Sequence, residues 1–188
     1  MAQKPVEPLE TDRLILRAWE PDDRKVFARI NADPLIMEYF PRVLDEAASN
    51  RLVDRFEQHF EKHGFGFYAL ALQETGEFIG FVGLSHVDFD APFTPAVEIA
   101  WRLDYAYWGK GYATEAASAV LEHAFGPLGL TEVVAYAVHD NTRAIHIMEK
   151  LGFVLDPKGN FDHPAWGKDH ALGHFVLYRL SKKNFKKA

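Results

Sequence analysis

The stretch that decides the fold begins Val97-Glu98-Ile99-Ala100-Trp101-Arg102-Leu103 and continues, after a short gap, as Tyr107-Trp108-Gly109-Lys110-Gly111-Tyr112-Ala113-Thr114. In the first part Val97, Ile99, Trp101 and Leu103 alternate with Glu98, Ala100 and Arg102, the period of a strand. Beyond the glycines, Ala113, Ala116, Ala117, Val120, Leu121 and Ala124 form the stripe of a helix ending near Phe125. Val133 to Val138 is continuously apolar, as a strand covered on both faces requires. Strand, glycine loop, helix and strand make a right-handed crossover between parallel strands. A helix start offers unpaired N–H groups and partial positive charge, and glycine lets an anion approach the backbone closely. Gly109 and Gly111 therefore read as a phosphate or diphosphate cradle or as a plain tight turn, and spacing leaves both open.

Working outward, Arg13 to Arg17 is a short strand, and Pro21 with Asp22 and Asp23 starts a helix to about Asn31. A second helix spans about Asp45 to Lys62, with Ala48, Leu52, Phe56 and Phe60 every four residues. Phe67–Gln73 and Phe78–Val87 read as a hairpin around Glu74-Thr75-Gly76-Glu77. Asn141 to Leu151 is a helix stopped by Gly152, and two strands follow near Phe153–Asp156 and Gly173–Leu180. The fold class is α/β, with a mixed, mostly antiparallel sheet of about seven strands and about four helices. No linker divides the chain. The expected organisation is an N-terminal extension (1–8), one domain (9–181) and a basic tail (182–188).

Composition excludes several chemistries. Cysteine is absent, which removes disulfides, thiolate metal sites and a cysteine nucleophile. With 21 Lys+Arg against 27 Asp+Glu the net charge is −6, and four of the cations are Lys182, Lys183, Lys186 and Lys187. An acidic body disfavours nucleic acid and suits an amine-bearing partner. No membrane span or signal peptide is expected, and the cytoplasm is the expected compartment. The glycine loop matches neither GxxxxGK[ST] nor, with Thr114 at the third glycine position, GxGxxG.

Three blocks together resemble the GCN5-related N-acetyltransferase (GNAT) superfamily, in particular its branch of ribosomal-protein N-terminal alanine acetyltransferases. They are Leu9-Glu10-Thr11-Asp12-Arg13-Leu14-Ile15-Leu16-Arg17, Trp108 to Ala116, and Asn141 with Glu149-Lys150-Leu151-Gly152-Phe153. The resemblance implies acetyl-CoA as the cofactor and covers about residues 9 to 181. Its diphosphate would lie on the loop Trp108, Gly109, Lys110, Gly111, Tyr112, Ala113 and Thr114. Its pantetheine arm would run along Ile99, Ala100 and Trp101, in a cleft where that strand splays from its parallel neighbour near Glu98 and Val138. Asn141 would bond the pantetheine or order the acceptor, and is read equally well as a helix N-cap.

The implied reaction is direct transfer of an acetyl group to an amine, which attacks only when neutral. An ε-amine is neutral in roughly 1 of 2,500 molecules at pH 7, an α-amine in roughly 1 of 7. Glu98, on the strand face opposite Val97 and Ile99, is the candidate general base, with an exposed strand carboxylate as the alternative. The acceptor is a protein N-terminal α-amine or a small-molecule amine. The rival readings are a polyamine or antibiotic acetyltransferase and a non-catalytic coenzyme A-binding module. Monomer and homodimer are both open.

Three positions depart from the family pattern. Ala106 stands where many members have Gln or Arg, Ala144 where the branch often has Ser, and Met148 where many have Tyr to protonate the leaving thiolate. Tyr107, Tyr136, His139 or water would then protonate it, or the thiolate leaves unassisted. His59 and His63, four apart, make either a metal pair or a solvated helix face. Ile36, Met37, Tyr39 and Phe40 line either an acceptor pocket or the core. Glu115 is read as stabilising the helix dipole.

Overall fold

The computed structural model describes residues 6–166 and 169–186. Parts of the expected extension (1–8) and tail (182–188) therefore lie outside the described residues. The chain forms two compact units: residues 1–85 with 100–120, and residues 86–99 with 121–188.

In the first unit, β1 (Leu9–Glu10), β2 (Leu14–Arg17), β3 (Phe67–Leu72) and β4 (Phe78–His86, its last residue in the second unit) follow one another in antiparallel order. The end of β5 (Val97–Leu103) lies beside β4. Two helices precede β3. α1 (Pro21–Asn31) starts on a capping box between Glu20 and Asp23, with proline in its first turn, where no N–H is needed. Arg17 forks onto the buried Asp23 at 2.7 and 2.9 Å, tying strand to helix. α2 (Glu46–His63) is capped by Asp45, which accepts from the Ala48 N–H, and ends at Gly64 with φ +77°. Its buried stripe is Ser49, Val53, Phe56 and Phe60, one residue round from the expected Ala48 and Leu52. Around it pack Trp19, Phe27, Ile30, Phe67, Phe78 and Phe81.

In the second unit the start of β5 runs parallel to β6 (Glu132–Val138), which pairs antiparallel with β9 (His174–Ser181). The two-residue strands β7 (Val154–Leu155) and β8 (Phe161–Asp162) also lie on β9. β6 and β9 hold register over seven positions, whereas β5 and β6 are paired only at Glu98↔Val134. α3 (Tyr112–Phe125) leads into this unit, and α4 (Thr142–Lys150) follows β6. Gly152, at φ +89°, closes α4: its N–H donates to the Glu149 carbonyl and that of Phe153 to the Met148 carbonyl, both at 3.0 Å.

The elements expected from periodicity all form. The sheet has nine strands among the described residues; β1 and β8 were not expected, because two residues are too few to show a period. Among the described residues, no helix is long and apolar enough to cross a membrane.

Candidate active site

The expected site residues fall into two groups. Trp108 to Thr114 lie in the first unit and Glu98 and Asn141 in the second; Ile99, Ala100 and Trp101 span the boundary along β5.

The loop is shaped before any ligand arrives. A turn of 3-10 helix over Tyr105–Tyr107 is capped by Asp104, which accepts from the Ala106 N–H at 3.0 Å. Trp108 donates from Nε1 to the Leu103 carbonyl at 2.9 Å, pinning the loop to the end of β5. Gly109 and Gly111 then take φ of +72° and +82°, values that side-chain-bearing residues rarely adopt. A Cβ at Gly109 would meet nothing within 4 Å, and one at Gly111 only an Arg13 nitrogen at 3.4 Å. Among the described residues, the N–H groups of Gly109 to Thr114 have no hydrogen-bond acceptor, and the first N–H of α3 that is bonded is that of Glu115, to the Gly111 carbonyl at 3.0 Å. Open backbone donors, positive-φ glycines and a fourteen-residue helix behind them fit a diphosphate. Lys110, with its Nζ 5.2 Å from the Tyr107 ring centre, stands beside them.

The Glu98 group is built from side chains. Glu98 bonds the hydroxyl of Tyr136, two residues beyond its β6 partner. That ring is walled by Phe161 at 5.4 Å and by Phe89, Phe93 and Phe175 at 6.0 Å. Burial disfavours the carboxylate and raises the Glu98 carboxyl to about 7. The Tyr136 bond opposes the shift and the charge of Asp88 adds to it. Tyr136 is itself raised, by burial first and by Glu98 next, so its proton is firmly held. Asp88 had no signal in the sequence; it sits in the loop after β4, ten residues before Glu98.

Asn141 caps α4: its side-chain oxygen accepts from the Ala144 N–H at 3.1 Å, and its own N–H donates to Val138 at 2.8 Å. Among the described residues its Nδ2 makes no hydrogen bond, so the cap leaves one donor group for a ligand. Met148 is 2% exposed and belongs to the core. Tyr107, held by burial and by Glu77, is raised to about 12 and is a weak acid. His139 is exposed beside Asp140 at 3.2 Å. His59 bonds the Phe65 carbonyl through Nδ1 at 2.8 Å, with the His63 ring centre 4.5 Å from its own. Of the segment after α1, Met37 is buried and Phe40 exposed. Arg102, missed in the sequence, is half-buried under Phe40 with its ring centre at 4.4 Å, and donates to Asn31 at 2.6 Å.

Comparison with known proteins identifies the family of the chain. Residues 13–154 match the family described as Acetyltransferase (GNAT) domain. An uncharacterised N-acetyltransferase, p20 of Bacillus licheniformis, is 27% identical over 150 residues, covering 79% of this chain and 83% of that protein. An acetyltransferase structure from Agrobacterium tumefaciens superposes with a TM-score of 0.77 at 27% identity, over 96% of this chain and 97% of that one. A spermidine N-acetyltransferase from Vibrio cholerae, solved in complex with CoA and spermine, has the same fold, with a TM-score of 0.72 at 19% identity over 93% and 98%. The chain belongs to the GNAT family and is an N-acetyltransferase.

Proposed function

We propose that this enzyme carries an acetyl group from acetyl-CoA to a primary amine, with the N–H groups of Gly109 to Thr114 on the diphosphate and Glu98 as general base. The observation that carries the reading is the run of open amides at the start of α3. Acetyl-CoA, bound there, supplies the thioester that the amine attacks. The backbone of Ile99 to Trp101, which follows the one β5 position paired with β6, is assigned to the pantetheine arm. Asn141 directs its Nδ2 donor to the arm or the acceptor while its oxygen keeps the cap. Glu98, titrating at about 7, is roughly half ionised at neutral pH, the poise a general base needs. It takes the proton that the attacking nitrogen must lose, and Tyr136 orients it. Burial weakens Tyr136 and Tyr107 as acids, and the thiolate, whose own pKa is modest, leaves without a dedicated side-chain acid.

A base near 7 matches an α-amine near 7.8 far better than an ε-amine near 10.4. This supports a protein N-terminal α-amine or a small amine of comparable basicity as acceptor. The three motif blocks favour the ribosomal-protein branch. A polyamine acceptor is the second reading, supported by the net charge of −6 and by the spermidine-acetylating enzyme of the same fold. We take residues 9–181 as the functional domain and the cytoplasm as its compartment.

Calorimetry with acetyl-CoA, followed by thiol release over a panel of N-terminal peptides, spermidine and small amines, tests the proposal. The expected result is saturable binding and release with an α-amine acceptor. Release with spermidine alone moves the assignment to polyamines. Absence of acetyl-CoA binding overturns it.

A further inference from the structure

The segment between β1 and β2 holds the glycine loop through one connected set of contacts. Thr11 Oγ1 donates to Glu115 Oε1 at 2.6 Å, and the Arg13 backbone N–H donates to the same oxygen at 3.1 Å. The Arg13 guanidinium grips the other carboxylate oxygen, with Nε at 2.7 Å and Nη2 at 2.6 Å. Its Nη1 donates to the Lys110 carbonyl at 3.0 Å, and its carbon lies 4.5 Å from the Tyr112 ring centre. Arg13 thus touches residues on both sides of Gly111, where its nitrogen is also the nearest neighbour a Cβ would meet.

Glu115 creates a problem that these contacts solve. It lies in the first turn of α3, where a carboxylate favours the helix but opposes any anion on the same N–H groups. Burial alone would raise its carboxyl; the bonds from Thr11 and Arg13 more than offset this and hold it ionised, below the ordinary range. The charge must be met by a cation. Lys110 lies over Tyr107, and position 106 is Ala.

We infer that Arg13 is a positioning residue for the coenzyme A diphosphate: it neutralises Glu115 and clamps the Lys110 carbonyl so that the loop amides face the anion. The inference rests on the cofactor reading above. A bidentate guanidinium is needed, because it must hold a carboxylate and a carbonyl in fixed geometry.

The test is calorimetric titration of the full chain with coenzyme A and with dephospho-coenzyme A, which keeps the diphosphate. Arg13→Met is expected to weaken both by about two- to fivefold, the effect of one partly exposed charge left uncompensated. Arg13→Met/Glu115→Gln is expected to recover much of that loss, because the uncompensated charge is gone. A residue with only a structural role would show no such recovery. The deficit of Arg13→Met should shrink in high salt. Equal affinity of wild type and Arg13→Met, or a double variant no tighter than the single one, overturns the inference. Should Arg13→Met fail to fold, Arg13→Lys decides: binding between wild type and the double variant supports it, and binding equal to wild type overturns it. If the wild type binds neither ligand, the cofactor reading fails instead.

Discussion

The glycine loop and the Glu98 group solve opposite physical problems. The loop offers an anion fixed backbone dipoles; its acidic neighbour, Glu115, is already matched by Arg13. The Glu98 group instead keeps a titratable, desolvated carboxyl beside Tyr136, whose ring packs among phenylalanines. Binding is thus assigned to groups that cannot change protonation, and proton transfer to one that is destabilised in its charged form. The first arrangement stabilises the fold or leaves it indifferent; the second costs stability, a cost that the proposed role of Glu98 as base would account for.

Glu98→Gln breaks the comparison on its chemical side and has the largest expected effect. It should lower kcat/KM at pH 7 by about 10²- to 10⁴-fold, the range of a general base, and remove the rise in rate through pH 7. Stability should respond in the opposite direction. The folded carboxyl binds its proton up to about pH 7 and the unfolded one only to about 4.5. Between these values the native state holds the extra proton, so wild-type stability falls as pH rises. Glu98→Gln escapes this penalty. It should match the wild type at pH 4 and exceed it at pH 8 by up to about 3 kcal/mol. Thermal unfolding at both pH values reads the difference; equal stability at pH 8 removes the case for a strained base.

Gly111→Asp breaks the binding side. Its φ of +82° disfavours any side chain, and the new carboxylate would stand among the open amides. Acetyl-CoA affinity should fall by about ten- to a hundredfold, with a smaller loss for Gly111→Ala, which carries the strain alone. If calorimetry shows the two variants binding equally, the amides do not face an anion.

These two regions also differ in how far the sequence discloses them. The loop was visible because backbone geometry writes itself locally: two glycines, a helix behind them and a strand before. Glu98 was visible only as an alternation, which fixes a face but not what that face meets. Its determinants, Asp88 and Tyr136, lie 10 and 38 positions away, and no local rule joins them. The same limit hid Arg13, which approaches Glu115 across a separation of 102 residues. Long helices and strands were legible because burial repeats with their periods. β1 and β8, two residues each, exist only because β2 and β9 offer them edges. In α2 the buried Val53, Phe56 and Phe60 were legible, whereas Ser49 was missed because its burial goes with a bond to Asn31, a tertiary contact that hydropathy cannot register.

Tyr136→Phe sharpens the account of how Glu98 is tuned. The lost bond favoured the charged carboxylate, so Glu98 should titrate at still higher pH. The limb of the pH–rate profile moves up, and kcat/KM should fall several-fold at pH 7 and recover towards pH 9. A loss that is uniform across pH would instead make the hydroxyl a participant in the reaction.

Asp88→Asn is the finest test, because it reverses that sign. The Asp88 charge raises the Glu98 carboxyl, so removing it should move the limb to lower pH and raise kcat/KM at pH 6 while leaving pH 8 nearly untouched. Asp88 is exposed, so solvent screens it and the gain should be about twofold. The gain should also vanish in about 1 M salt, where screening acts over about 3 Å. His163 provides an internal control: burial lowers its imidazole and Asp88 raises it, so the same substitution should drop the His163 titration further when followed by NMR. A carboxyl and an imidazole responding together to one neutralised charge would place Asp88 electrostatically against both. A shift in only one of them would mean that Asp88→Asn acts by rearranging its loop.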